Sequence, residues 1–254
     1  MKVHAKTAFA SLVLFLVFTS GLAWAGGQQG VHWSYHGDHG PNQWAQLSPD
    51  YELCKSGKSQ SPIDISAPSR SNLDLLSFHY KDTPLNILNN GHTVQDTYGL
   101  GSFIKLDGEY YDLLQFHFHG PSEHTVNGKP TPMEVHLVHK NTQGGLAVVS
   151  VMMTTGKEHV AIEKIWSSIP AKVWGKVNNE KVSVNGTELL PESRSYYHYP
   201  GSLTTPPCSE GVRWYVMQVP IEVSKDQIVK FKSVIGFNAR PVQELNGRKV
   251  QENN

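Results

Sequence analysis

The chain has 254 residues, 39% of them apolar, with 22 basic and 22 acidic side chains and no long run of lysine or arginine. That balance argues against nucleic acid or an anionic membrane surface as partner, because both are held by clustered Lys and Arg. The substrate is then small or recognised locally, and the length suits one domain with a large core.

The first residues, MKVHAKTAFASLVLFLVFTSGLAWAGG, join a basic start at Lys2, His4 and Lys6 to an apolar run ending near Leu22 and a small-x-small pattern at Ala23-Trp24-Ala25. This is the layout of a secretory signal peptide, so residues 1–25 are read as removed on export and 26–254 as the mature domain. A membrane anchor is the weaker alternative, since the apolar run is short for a span and no cysteine follows it for lipid attachment. The mature chain keeps 20 basic against 22 acidic residues, a net charge of −2 with His neutral. Its two cysteines, Cys54 and Cys208, suggest one disulfide in an exported protein, with two free thiols as the alternative.

Short elements follow, separated by Gly, Pro and Asn. Strand-like runs fall at 85–88, 103–106, 110–119, 133–139, 146–153 and 212–219. Helical patterning covers 158–168 and 224–235, the latter with Ser224 as N-cap and Gly236 as C-cap. Asn-Gly pairs at Asn90-Gly91, Asn127-Gly128, Asn185-Gly186 and Asn246-Gly247 mark tight turns, some of them hairpins. No repeat, linker or composition shift divides the chain. The expected fold is predominantly β (α+β), a single domain around a twisted, mostly antiparallel sheet with peripheral helices.

Within the third of those runs, the stretch "QFHFH" puts Phe116 and Phe118 on one face and Gln115, His117 and His119 on the other. Two imidazoles two residues apart on one strand face are roughly 6–7 Å apart at Cβ, close enough to share an ion. A turn-rich segment, GPSEHTVNGKPTP, then leads to "MEVHLVH", where alternation puts Glu134, His136 and Val138 on one face and Val135, Leu137 and His139 on the other. If the two strands pair antiparallel, His136 becomes a third ligand. Three neutral imidazoles with an open fourth position describe a catalytic zinc site rather than a structural one. Gln115 and Glu134 each lie two residues before a ligand on the same face, where they can accept its second ring N–H. His119 has no such neighbour and would need a backbone carbonyl. His124 lies in a turn, His139 faces away, and His32, His36 and His39 read as a solvated arm. No His-Glu-x-x-His helix occurs, which argues against a zincin protease.

From here the chain resembles an α-class carbonic anhydrase of the exported bacterial type. The resemblance runs through "HWSYHG" at His32, "QSPIDI" at Gln60, "NNGHT" at Asn89, "QFHFHGPSEHTVNGK" at Gln115, "EVHLVHK" at Glu134, "GSLTTPPCSEGVRW" at Gly201 and "NARPVQ" at Asn238. It implies zinc on His117, His119 and His136, with Gln115, Glu134 and the backbone carbonyl of Asn238 behind them. It implies that Thr204 accepts the proton of a zinc-bound hydroxide and donates its own to Glu123, with Thr205 in the same cavity. Val138, Val148, Leu203, Val212 and Trp214 would form the apolar wall for carbon dioxide, His92 would be the proton shuttle, and Tyr35 would order cavity water. Cys54 and Cys208 match the disulfide of exported members. The implied activity is a lyase that hydrates carbon dioxide to bicarbonate and a proton, with weak esterase activity beside it. The implied setting is the periplasm, in preference to full secretion, as a monomer or homodimer. Two departures stand out: Gly120-Pro121 and Ala239 occupy places where animal members commonly carry Trp. The alternative from another class is a non-catalytic binding module, of the related proteins that have lost a zinc ligand.

Overall fold

The computed structural model describes residues 31–253, so the expected signal peptide lies outside the described residues. Two short helices come first, α1 (Trp44–Leu47) and α2 (Leu53–Ser56). Strands β1 (Asp64–Ile65), β2 (Ser69–Arg70), β3 (Ser77–His79), β4 (Thr83–Asn89), β5 (Val94–Thr97) and β6 (Phe103–Leu106) follow. The long strands are β7 (Glu109–His119), β9 (Met133–Lys140) and β10 (Leu146–Thr155), with β8 (Thr125–Val126) in the connection. Then come α3 (Val160–Trp166), β11 (Lys176–Val184), β12 (Tyr196–Ser202), β13 (Glu210–Met217), β14 (Ile221–Val223), α4 (Lys225–Ile235) and β15 (Gln251–Glu252).

Among the described residues one sheet of 13 strands dominates, in the order β11-β4-β5-β7-β9-β10-β13-β12-β15-β2, with β6 and β14 branching from β7 and β10. Most neighbours are antiparallel, as expected. The exceptions are β13 and β14, both parallel to β10, and β2, parallel to β15, so the sheet is mixed. The pair that matters most is β7 with β9: it is antiparallel and sets His117 directly opposite His136.

Alternation then sorts side chains between two cores. Phe116, Phe118, Val135, Leu137, Val149 and Val151 pack with α3 and α4 on one face. Val138, Val148, Val212 and Trp214 pack with Ile63 and Tyr199 on the other. Strands β9 and β10 are buried on both faces; β10 reads as a near-continuous apolar run, whereas β9 buries Glu134, His136 and His139 as well. The Phe/His alternation of β7 follows directly: its phenylalanines anchor the sheet to the helices while its histidines face the opposite side.

Both expected helices form. His159 caps α3, and Ser224 and Gln227 make a reciprocal capping box on α4, which ends at Gly236 with φ 80°. Strand β13 ends at Met217, two residues before the expected limit, and Val219 is left exposed. Asn127-Gly128 and Asn246-Gly247 hold positive φ at both residues, as a two-residue tight turn requires. Asn185-Gly186 does something else: the Asn185 side chain caps a short 3-10 helix over Gly186–Leu189.

Asp96 is the exception in the helix-facing core. It sits on β5 between Val94 and Tyr98, opposite Phe116, fully buried. Its Oδ2 accepts a long backbone bond from Asn86 (3.3 Å), and its Oδ1 has no partner. Burial pushes its carboxyl up to about 7, against the hydrogen bond from Asn86. A raised carboxyl pKa means that the folded state holds its proton longer than the unfolded chain. Stability is therefore lost as pH rises from about 4, the unfolded value, to about 7, and the loss is complete above that. Asp96→Asn should unfold like the parent at pH 4 and be more stable by roughly 1–3 kcal/mol at pH 8, read from urea midpoints at the two pH values. A variant no more stable at pH 8 would contradict this.

Candidate metal centre

The three histidines converge as alternation requires. Ring centroids lie 5.0 Å (His117–His119), 5.3 Å (His117–His136) and 4.5 Å (His119–His136) apart, and one nitrogen from each falls within 4.8 Å of the others. The second nitrogen of each ring is tied. His117 Nδ1 donates to Gln115 Oε1, His119 Nδ1 to the Asn238 carbonyl and His136 Nε2 to Glu134 Oε1, all at 2.8 Å. A ring nitrogen facing such an acceptor carries the proton, so His117 and His119 present Nε2 and His136 presents Nδ1 to one point.

These donors fit a zinc ion. His119 Nε2 is buried without a hydrogen-bond partner, a costly state that a metal removes. Burial pushes all three imidazoles below their usual range, His119 to about 4, so they are neutral at pH 7 as ligands must be. Neighbouring imidazoles add to this for His117, and the Asn238 carbonyl opposes it for His119.

Glu134 does more than orient His136. Its Oε1 also accepts from His124 Nδ1 (2.7 Å) and the Ser150 hydroxyl, while its Oε2 accepts the backbone N–H groups of Glu123 (2.7 Å) and His124 (2.9 Å). Burial alone would raise this carboxyl, but the His124 and His136 imidazoles and their hydrogen bonds hold it well below the usual carboxylate range. His124, dismissed above as a turn residue, is fully buried, and its Nε2 meets the Tyr199 hydroxyl at 2.6 Å. The three residues His124, Glu134 and His136 also lie close enough to suggest a second metal group. Their facing atoms are already spent on one another, which makes them a support for the first. No periodicity points to His124; only its place in the quoted motif could have drawn attention to it.

Behind the ligands, Glu123 Oε2 lies 3.5 Å from His119 Nε2 and 3.9 Å from His136 Nδ1, and Glu123 Oε1 accepts the backbone N–H of Arg240 at 2.9 Å. Burial pushes the Glu123 carboxyl up to about 7, against the pull of His136, the Arg240 N–H and the Thr204 hydroxyl. Thr204 is buried in the connection between β12 and β13, which is closed by Leu203 N to Ser209 O (2.9 Å) and Cys208 N to Thr205 O (2.8 Å). A disulfide joins Cys208 to Cys54 and tethers that connection to α2. Asn238 is the other hub: besides holding His119, its amide takes Gly120 N (2.8 Å) and donates to the carbonyls of Phe118 (2.9 Å) and His92 (3.0 Å).

The expected apolar wall also assembles. Val148 stands opposite Val138 on one side and Trp214 on the other, with Val212 and Leu203 in the same cluster. The Trp214 ring meets His136 edge-on at 4.9 Å. Thr205 is half-buried beside Thr204. Tyr35 is buried near Glu123, and burial, with that carboxylate adding, raises its phenol well above its usual range. His92 lies apart from the ligands, its ring flat on Trp33 at 3.7 Å with an angle of 6°. Burial, with His32 adding, pushes it down to about 4.

One of the two departures has a local reason, and nothing in the structure explains the other. A Cβ on Gly120 would meet the Phe231 ring of α4 at 3.2 Å, tighter than ordinary contact, so a larger side chain there requires that ring to shift. Ala239 is buried between the two hub residues Asn238 and Arg240.

Comparison with known proteins agrees with this geometry. The family model for eukaryotic-type carbonic anhydrase matches residues 39–254. A carbonic anhydrase of Pectobacterium carotovorum is 44% identical over 219 residues, 86% of this chain and 89% of that one. The solved α-carbonic anhydrase of Thermovibrio ammonificans, in complex with sulfanilamide, is 47% identical with a TM-score of 0.85, over 87% of this chain and 99% of that one. That of Photobacterium profundum is 42% identical with a TM-score of 0.82, over 87% of this chain and all 100% of that one. With a matching model over nearly the whole described chain, relatives of this identity and the buried three-histidine centre, the chain belongs to the eukaryotic-type, or α-class, carbonic anhydrases, a family of lyases.

Proposed function

We propose that this protein interconverts carbon dioxide and bicarbonate with one zinc ion held by His117, His119 and His136. The observation that carries the reading is the buried, partnerless Nε2 of His119, aimed with two other oriented imidazole nitrogens at one point. Bound there, zinc would act as a Lewis acid and bring a water to a pKa of about 7, a value for which carbonic anhydrase is itself the standard case.

The chain's own groups supply the rest. Gln115, Glu134 and Asn238 hold the tautomers. With Glu123 ionised and taking the Thr204 hydroxyl proton, the Thr204 oxygen can only accept. An attacking oxygen poised among the imidazoles must then point its O–H at Thr204 and its lone pair toward Val138, Val148 and Trp214. Carbon dioxide is uncharged and weakly hydrogen-bonding, so an apolar wall is the suitable holder. Tyr35 and Thr205 order water across the cavity. His92 carries the product proton to solvent once its ring leaves Trp33, where its basicity returns toward the ordinary imidazole range. Ester hydrolysis accompanies the main reaction weakly, because the same nucleophile is not selective for carbon dioxide.

The protein acts after export, in the periplasm: the disulfide fits an oxidising compartment, and no described helix is long and apolar enough to cross a membrane. It works as a monomer or homodimer, with no nucleic-acid or membrane partner in the mature form. Stopped-flow hydration by the zinc-loaded protein tests the scheme. In weak buffer, His92→Ala should lower kcat about tenfold with kcat/KM unchanged. Unchanged kcat would remove His92 from the proton path, and no turnover in either protein would favour the binding-module alternative.

A further inference from the structure

Between α4 and β15, residues 236–250 form no helix or strand. Yet within three residues this stretch fixes two groups of the centre. The Asn238 carbonyl holds His119, and the Arg240 N–H holds Glu123. Without a ladder, those backbone groups are placed by side chains together with isolated backbone bonds, Asn238 N–H to the Gly120 carbonyl (3.3 Å) and Gln243 N–H to the Pro62 carbonyl (2.8 Å). Asn238 is placed by its own amide, as described above. Arg240 is placed by its guanidinium: Nη1 donates to Gln60 Oε1 (2.9 Å) and the Ser61 carbonyl (2.7 Å), Nη2 donates to the Cys54 carbonyl (2.9 Å), and the group lies over the Trp44 ring at 5.6 Å.

Arg240 is only 2% exposed, and its guanidinium donates to neutral oxygens alone. Burying a cation on neutral acceptors is expensive compared with an apolar side chain of the same size. The nearby Glu123 carboxylate offsets part of that expense, and the three anchors fasten the backbone N–H of Arg240 to a fixed frame. The frame is the segment bearing the disulfide. Cys54 is contacted directly, and Gln60 Nε2 also donates to the Cys208 carbonyl at 3.0 Å. The guanidinium therefore ties the Glu123 support to the same anchor that holds the Thr204 connection.

We infer that Arg240 is a positioning residue for the hydration reaction: its guanidinium, fastened to Cys54, Gln60 and Ser61, sets the backbone N–H that holds Glu123 and, through Glu123, sets the direction of the Thr204 hydroxyl. The inference rests on the zinc-dependent hydration proposed above. Arg240 touches no reacting atom, so its contribution must pass through Thr204.

A double-mutant cycle separates this from a merely structural role. Thr204→Ala, Arg240→Lys and the double variant are loaded with zinc, and kcat/KM, zinc content and urea midpoint are measured for each. Thr204→Ala should cost about 100-fold in kcat/KM with zinc retained. Arg240→Lys should cost about tenfold in the parent and less than about twofold in the Thr204→Ala background, while lowering the urea midpoint equally in both. An equal loss of kcat/KM in both backgrounds, or no loss in the parent, would overturn the assignment. If Arg240→Lys fails to fold, Gln60→Ala, which withdraws one of the three anchors, takes its place under the same criterion. A zinc-loaded parent with no activity would overturn the hydration reading and this assignment with it, a result distinct from additivity in an active parent.

Discussion

His119→Ala should abolish zinc retention and lower kcat/KM for carbon dioxide hydration by more than about 10³-fold. His119 is as enclosed as His136 and more so than His117, and its Nε2 makes no hydrogen bond, with the Glu123 carboxylate 3.5 Å away. The same fact predicts a split in stability. The metal-free variant sheds the unpartnered Nε2 but also loses the Nδ1 hydrogen bond to the Asn238 carbonyl and leaves a cavity, so it should be less stable than the metal-free parent by roughly 1–3 kcal/mol. The zinc-loaded parent should be more stable than both, because a ligand that binds only the folded state stabilises it by mass action. Metal content, rate and the two midpoints check all three statements. A variant that kept its zinc would show that the donors at this point are not the ones named.

Glu134→Ala should be the most destabilising single change near the site. It orphans five donors at once: the N–H groups of Glu123 and His124, the rings of His124 and His136, and the Ser150 hydroxyl. Removing one partner from a buried charged network costs about 3–5 kcal/mol. Because Glu134 also fixes the His136 tautomer, zinc affinity should fall by roughly 10–100-fold. Glu134→Gln, which keeps one acceptor oxygen but turns an NH₂ toward donors, should fall between Ala and the parent. Urea unfolding and competition for zinc with a chelator measure the two effects. If Ala and Gln proved equally stable, the carboxylate would not be the hub that the hydrogen bonds describe.

How much of this was legible in the chain depends on which groups do the work. Period-two alternation placed Gln115, His117, His119, Glu134 and His136 on one side, and β7 and β9 obey it. The register that sets His117 opposite His136 did not follow from alternation alone, since the connection from Gly120 to Pro132 is long and has its own short strand. The need for a carbonyl behind His119 was deducible, but not its source: a backbone carbonyl has no identity in a sequence, and only the family resemblance pointed to Asn238. His124 and Arg240 were silent for a related reason, because a turn histidine and a coil arginine gain meaning only from what lies across the fold. Strand β11 was missed because it is a polar edge with an irregular register between Asn179 and Ser183, and β12 because it carries Pro200. Asp96 went unremarked because a carboxylate in a four-residue strand reads as a turn residue until its burial is seen.

The measurement closest to the central claim is the initial rate of carbon dioxide hydration by the mature protein, taken as prepared, after stripping metal with a chelator and after restoring zinc. The three-histidine account predicts activity that vanishes on stripping and returns with one zinc per chain. Undiminished activity in the stripped protein, or none in a folded protein carrying one zinc per chain, would contradict it.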